Sequence, residues 1–242
     1  MTIKPIEISL RGSALIAGLT ILIMALVAPF SELFAYPKLV NPVSAAETVA
    51  NISNNKMLFT SAIFGYLLTF TGDIVVSWAL YILLKPVNEP LSLLTACFRL
   101  VFSVIALAAL LNLVTVFRLL ADHDYLVLFG QAQLYAQVMF YLMMFKSGYH
   151  FGILLFGIHL ILLGCLVLKS NYIPGIMGIL LIVCGLGYMI DVLRPFLFPD
   201  INLKFITLTF FGELIFMLWL LIKGSRLKEG QTRIGNERIT RL

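Results

Sequence analysis

The residues able to do chemistry in this sequence are few and widely spaced. Tyr66, Thr69, Asp73 and Ser77 follow one another at intervals of three, four and four, and so do Ser92, Thr95, Arg99 and Ser103. Residues three and four apart share one face of a helix. Each set therefore forms a polar stripe on an otherwise apolar helix, and each stripe holds one charge of opposite sign. Further along lie His159 and Glu213, each alone in an apolar run. Ionisable residues inside a bilayer are costly and point at a partner or a cavity. Counted at about 1.5 Å per residue from the inner end of each run, Asp73 lies ~18 Å deep, Arg99 ~13 Å, and His159 and Glu213 ~15 Å. Half a hydrocarbon core is about 15 Å, so four ionisable groups on four helices share one layer. They are the candidate ligand or polar site. A second group, Glu32, His150, Tyr188 and Asp191, falls near the outer ends of its runs and is expected to line an outer mouth.

What can this set do? A plain ion pair between Asp73 and Arg99 would fix a helical hairpin and need no ligand. With those two cancelling, His159 and Glu213 are left to form a couple, or a site accepting a proton, a cation or a small ligand. Thr209 would add a polar group on the Glu213 face. Catalytic zinc needs about three converging ligands. His150 and His159 are nine apart and face opposite ways, so no metal is expected. The triplet Asp122-His123-Asp124 reads as a solvated loop. There is no phosphate loop, no nucleophile elbow and no haem attachment motif, so no cofactor is expected, and no catalytic spacing points to an enzyme. The three cysteines, Cys97, Cys165 and Cys184, all fall inside apolar runs and read as small hydrophobes rather than a disulfide.

The elements that must position these residues are set by composition. Of 242 residues, 61% are hydrophobic and 12% charged, against about 25% charged in soluble domains. The apolar residues fall in runs of about 20, the length that spans a bilayer. The expected fold is all-α: a single polytopic bundle of six transmembrane helices at about 12–34, 58–84, 91–117, 148–168, 175–194 and 205–222. The piece 131–145 carries three glutamines and reads as an outer interfacial helix. Pro29 should bend the end of the first span. Ala45 to Ala50 reads as a short surface helix, and Asn51-Ile52-Ser53 as a chance glycosylation triplet. The first apolar run is too long for a signal peptide. Glycines on two faces of the fourth span place it at the centre of the bundle.

The net charge of +5 sits mostly at the two ends, including the tail 223–242. The positive-inside rule then puts both termini in the cytoplasm of a cell whose inner membrane holds the chain. The partner is the lipid bilayer, with a possible small-molecule ligand and no nucleic acid. Three functional classes follow. A carrier or sensor using the midplane layer ranks first, a structural or regulatory module second, and a membrane-embedded enzyme on a lipid-like substrate third.

Several motifs also agree in order with one family. They are Tyr81-Ile82-Leu83-Leu84-Lys85-Pro86-Val87-Asn88, Phe98-Arg99-Leu100, Gly157-Ile158-His159, Leu186-Gly187-Tyr188-Met189-Ile190-Asp191, Gly212-Glu213-Leu214, and Trp219-Leu220-Leu221-Ile222-Lys223-Gly224. In these the chain resembles a bacterial integral-membrane family known as domain of unknown function 4386, over roughly residues 11–224. The resemblance implies a multi-pass membrane protein and no particular activity.

Overall fold

The computed structural model describes residues 9–121, 130–197 and 211–227. The Asp122-His123-Asp124 triplet, Thr209, the start of the expected sixth span and most of the basic tail lie outside them. The described residues contain helices and no strand. In order they are α1 (Leu10–Pro29), a π-helical segment (Phe30–Ala35), α2 (Tyr36–Leu39), α3 (Ala45–Asn54), α4 (Lys56–Leu84), α5 (Glu89–Ala121), α6 (Gln131–Lys169), α7 (Gly175–Leu197) and α8 (Phe211–Ile222), followed by a 3-10 turn (Gly224–Arg226).

Among the described residues five stretches are long and apolar enough to cross a membrane: Leu10–Leu39, Lys56–Leu84, Glu89–Ala121, Gln131–Lys169 and Gly175–Leu197. Phe211–Ile222 is apolar but shorter. Large apolar side chains such as Leu26, Phe64, Val104, Leu111 and Phe151 stand exposed on these helices. In water such a surface would aggregate; against lipid it costs nothing. The protein is a multi-pass membrane protein.

One expectation is corrected. Residues 131–145 are not a separate interfacial helix. They are the first turns of α6, which runs unbroken for 39 residues from Gln131 to Lys169, about 58 Å at 1.5 Å per residue. Leu134, Val138, Leu142 and Phe145 are all buried. They recur at intervals of four, four and three, which is one helix face. That stripe binds the segment to its neighbours, and the glutamines take the other side.

By contacts the chain divides into two compact units. The first holds residues 1–22, 73–101 and 153–242. Within it, α4 and α5 form a hairpin. Asn88 caps α5, its side-chain oxygen accepting from the Leu91 amide at 2.9 Å, and Glu89 and Pro90 occupy the first turn, where a missing amide does no harm. Two hydroxyls cross the hairpin: Ser77 donates to the Ala96 carbonyl at 2.8 Å and Ser92 to the Tyr81 carbonyl at 3.0 Å. The polar stripes thus stitch the two helices together. Next, α6 crosses α7 at glycines. A Cβ on Gly185 would lie 2.5 Å from the Gly157 carbonyl oxygen, and one on Gly164 2.5 Å from that of Gly178. Only glycine permits backbones that close. Gly212 of α8 abuts the Leu180 carbonyl of α7 in the same way, and Gly18 of α1 lies against Leu221.

The second unit holds residues 23–72 and 102–152. Pro29 has no amide to offer the helical ladder. The chain answers immediately after it with the wider π turn Phe30–Ala35, so the expected bend at Pro29 is a local change of helical type. The surface helix expected near Ala45–Ala50 is α3, started by Ser44, whose hydroxyl accepts from the Glu47 amide at 3.2 Å. Gly148 of α6 leaves room for Ala109 of α5, and Gly152 for Phe102. The core of this unit is aromatic: Tyr66, Phe70, Phe102, Phe145 and Tyr149 pack in stacked, tilted and edge-on pairs at 5.0–6.4 Å between centroids.

Candidate functional site

The four residues of the expected midplane layer lie in the first unit and converge there on Arg99. Its side chain is 1% exposed and is the largest fully buried side chain among the described residues. Arg99 Nε donates to Asp73 Oδ1 at 2.9 Å, and Nη2 lies 2.5 Å from the same oxygen. Nη2 also faces Glu213 Oε1 at 3.7 Å. Nη1 lies 3.3 Å from His159 Nε2. The guanidinium therefore uses its fork on three side chains from three helices, α4, α6 and α8. A fourth partner closes the back: the Phe156 ring centroid is 5.0 Å from Arg99 Cζ, and the same ring stacks on His159 at 5.6 Å and meets Tyr188 at 5.7 Å.

The partners fix the state of His159. Its Nδ1 lies 2.8 Å from the Thr95 carbonyl oxygen. A carbonyl only accepts, so Nδ1 carries the proton. A guanidinium only donates, so Nε2 is the bare nitrogen that receives Arg99. His159 is thus a neutral imidazole, held at both ends and buried. The Thr95 carbonyl is available to it because Thr95 lies one turn before Arg99 on α5. The sequence stripe Ser92, Thr95, Arg99 is the face that meets α6 as well as α4.

Among the described residues the formal charge of the cluster does not balance. One guanidinium stands against two carboxylates, Asp73 and Glu213, both buried. Among the described residues no group of three His, Cys, Asp or Glu side chains is arranged to hold a metal ion. Beside His159 runs a narrow crevice lined in part by Ser77, Ser92, Thr95, Leu163 and Leu166.

The four residues singled out in the sequence do come together, but not as a direct His159–Glu213 couple. His159 and Glu213 are joined through Arg99, which is the hub. The expected mouth residues each have a local partner. Glu32 lies in the second unit, where Tyr66 donates to its Oε2 at 2.5 Å and Lys146 meets its other oxygen. Exposed His150 has Nδ1 at 2.8 Å from the Lys146 carbonyl, a bond within one turn of α6. In the first unit Tyr188 packs on Phe156. Asp191 is exposed and lies 4.0 Å from Arg194, one turn on. Lys146 was not singled out in advance. A lysine next to Ser147-Gly148 reads as a helix break, and its acidic partner is 114 residues away. The three cysteines are free, with Cys184 buried and Cys97 exposed.

With this geometry in hand, comparison with known proteins adds the lineage. No solved structure matches this chain. An uncharacterized protein of Archaeoglobus fulgidus is 36% identical over 168 residues, covering 69% of this chain and 86% of the relative. The sequence profile described as Domain of unknown function (DUF4386) matches residues 16–224, a span that contains all four residues of the cluster, and the chain belongs to that family.

Proposed function

We propose that the Asp73–Arg99–Glu213–His159 cluster is a buried proton-binding site, used by the protein as a carrier or sensor in the membrane. One observation carries this reading: two carboxylates face one guanidinium, with the only histidine of the cluster held neutral. An uncompensated carboxylate in a dry membrane interior costs several kcal/mol. A proton shared by Asp73 and Glu213 removes that cost, because Arg99 then balances the one charge left. Losing or gaining the proton changes the charge of a site that ties α4, α5, α6 and α8, so protonation and helix packing are coupled. The wider frame of the proposal is six spans, with α8 completing the sixth, both termini cytoplasmic and the inner membrane as location. It rests on the basic residues at Lys85, Lys169 and the tail.

A difference titration of purified protein tests the reading. Over the pH range in which the fold holds, wild type should exchange one proton per chain more than Glu213→Gln. Equal proton counts would refute it. A second reading has its own support in the burial of all four side chains. A buried knot of charges also serves purely to fix which helices pair. Equal titrations with strong destabilisation by Arg99→Gln would establish that structural reading.

A further inference from the structure

The second unit contains another charged cluster, and it is built differently from the ordinary ion pairs of the described residues. Lys85–Glu89 and Arg194–Asp191 lie within one turn of each other along the chain, and their side chains are half or more exposed on at least one partner. Glu32 and Lys146 come from separate helices, and their side chains are only 30% and 23% exposed. Glu32 sits inside the π-helical segment Phe30–Ala35. A π turn breaks the regular ladder and recurs at functional positions. One carboxylate oxygen, Oε2, receives the hydroxyl of Tyr66, which is itself 2% exposed. The other, Oε1, meets the Lys146 ammonium. That ammonium also lies over the Tyr36 ring, 4.2 Å from the centroid. Tyr36 is backed by Phe145 at 6.0 Å, and Phe145 by Tyr66 at 5.0 Å.

Remove the lysine from this description and what remains is a recognition set for an organic cation. An oriented carboxylate supplies the charge, and an aromatic face supplies the quadrupole that attracts ammonium groups. The buried Tyr66 hydroxyl holds the carboxylate in place, so the set does not depend on Lys146 for its shape.

We propose that Glu32, Tyr36 and Tyr66 form a binding site for a ligand bearing an ammonium group, occupied in this state by the protein's own Lys146. Lys146 acts as a tethered competitor. A tethered group competes at an effective concentration in the millimolar range or above, so a free ammonium ligand enters only by displacing it. Displacement would release α6 from the π-helical segment, and the site is thereby an ammonium-sensitive latch. This site is independent of the proton-binding reading above.

Methylammonium is the probe, with sodium at equal ionic strength as the control. In Lys146→Met, which keeps the apolar stem and loses the charge, methylammonium should raise the melting temperature by ~3–6 °C at about ten times its Kd. Half-saturation in wild type should need at least ~10-fold more. Glu32→Gln with Lys146→Met should abolish the response. A measurement on wild type keeps the idea testable even where that variant folds poorly. Methylammonium should speed acylation of Lys146, read residue by residue by mass spectrometry, while leaving Lys38 and Lys56 unchanged. No Glu32-dependent shift in Lys146→Met, or no selective rise in Lys146 reactivity, would overturn the proposal.

Discussion

Replacing Arg99 by glutamine should damage this protein more than removing either of its carboxylates. The ranking comes from what each change leaves behind. Asp73→Asn keeps a side-chain oxygen where Arg99 Nε and Nη2 now bond at 2.9 and 2.5 Å, and it keeps Glu213 Oε1 at 3.7 Å from Nη2 as a counter-charge. The loss is that of charge-assisted hydrogen bonds weakened to neutral ones, about 1–3 kcal/mol. Arg99→Gln leaves two buried carboxyls and the Nε2 of His159 without their common donor. Breaking a buried pair from that side costs about 3–5 kcal/mol. For a chain of 242 residues, 1 kcal/mol moves the melting temperature by roughly 2–4 °C. The expected drops are then ~6–20 °C for Arg99→Gln and ~2–12 °C for Asp73→Asn. Differential scanning fluorimetry in detergent, reading Trp78 and Trp219, would resolve them. The double variant should lose less than the sum of the singles, by about 0.5–3 kcal/mol. If Asp73→Asn is the more damaging change, or if the two losses simply add, Arg99 is not the hub and the reasoning fails.

Other outcomes follow from the same geometry. His159→Asn should keep a donor for the Thr95 carbonyl but lose the acceptor facing Arg99, and should cost ~1–3 kcal/mol in the same assay. His159→Phe, which loses both, should cost more, and equal losses would contradict the bonding assigned to the ring. Gly185→Ala places a methyl 2.5 Å from the Gly157 carbonyl oxygen and should destabilise the α6–α7 crossing by about 1–3 kcal/mol. Gly175→Ala, whose Cβ would meet only the Leu168 side chain at 3.6 Å, is the control expected to change little. Reporter fusions after Lys85 and at the C-terminus should both report the cytoplasm, and an external C-terminus would refute the six-span proposal.

The fold and the first cluster were legible in the sequence for one reason: the bilayer makes exceptions conspicuous. Asp73 and Arg99 stood out because each is a lone charge on an apolar helix, and the turn at Lys85–Asn88 makes their helices antiparallel neighbours. Equal depth then added His159 and Glu213. Depth alone does not say which groups touch, so a direct His159–Glu213 couple was as readable as the arginine hub. The piece 131–145 was misread because its glutamines were weighed above the buried stripe Leu134, Val138, Leu142 and Phe145. The Glu32–Lys146 cluster was half visible, since Glu32 is conspicuous and Lys146 sits beside two helix-weakening residues. Their meeting depends on the π turn after Pro29, and no spacing rule announces a π turn.

The central claim is that Asp73 and Glu213 share one proton against Arg99, and infrared spectroscopy of the carboxyl C=O stretch reads it directly. Wild type in lipid should show a protonated-carboxyl band that shifts in D₂O. The account expects that band to vanish in Asp73→Asn and equally in Glu213→Gln, because either change leaves one carboxylate for one guanidinium. A wild-type spectrum without the band, or a band that survives in both variants, would contradict it.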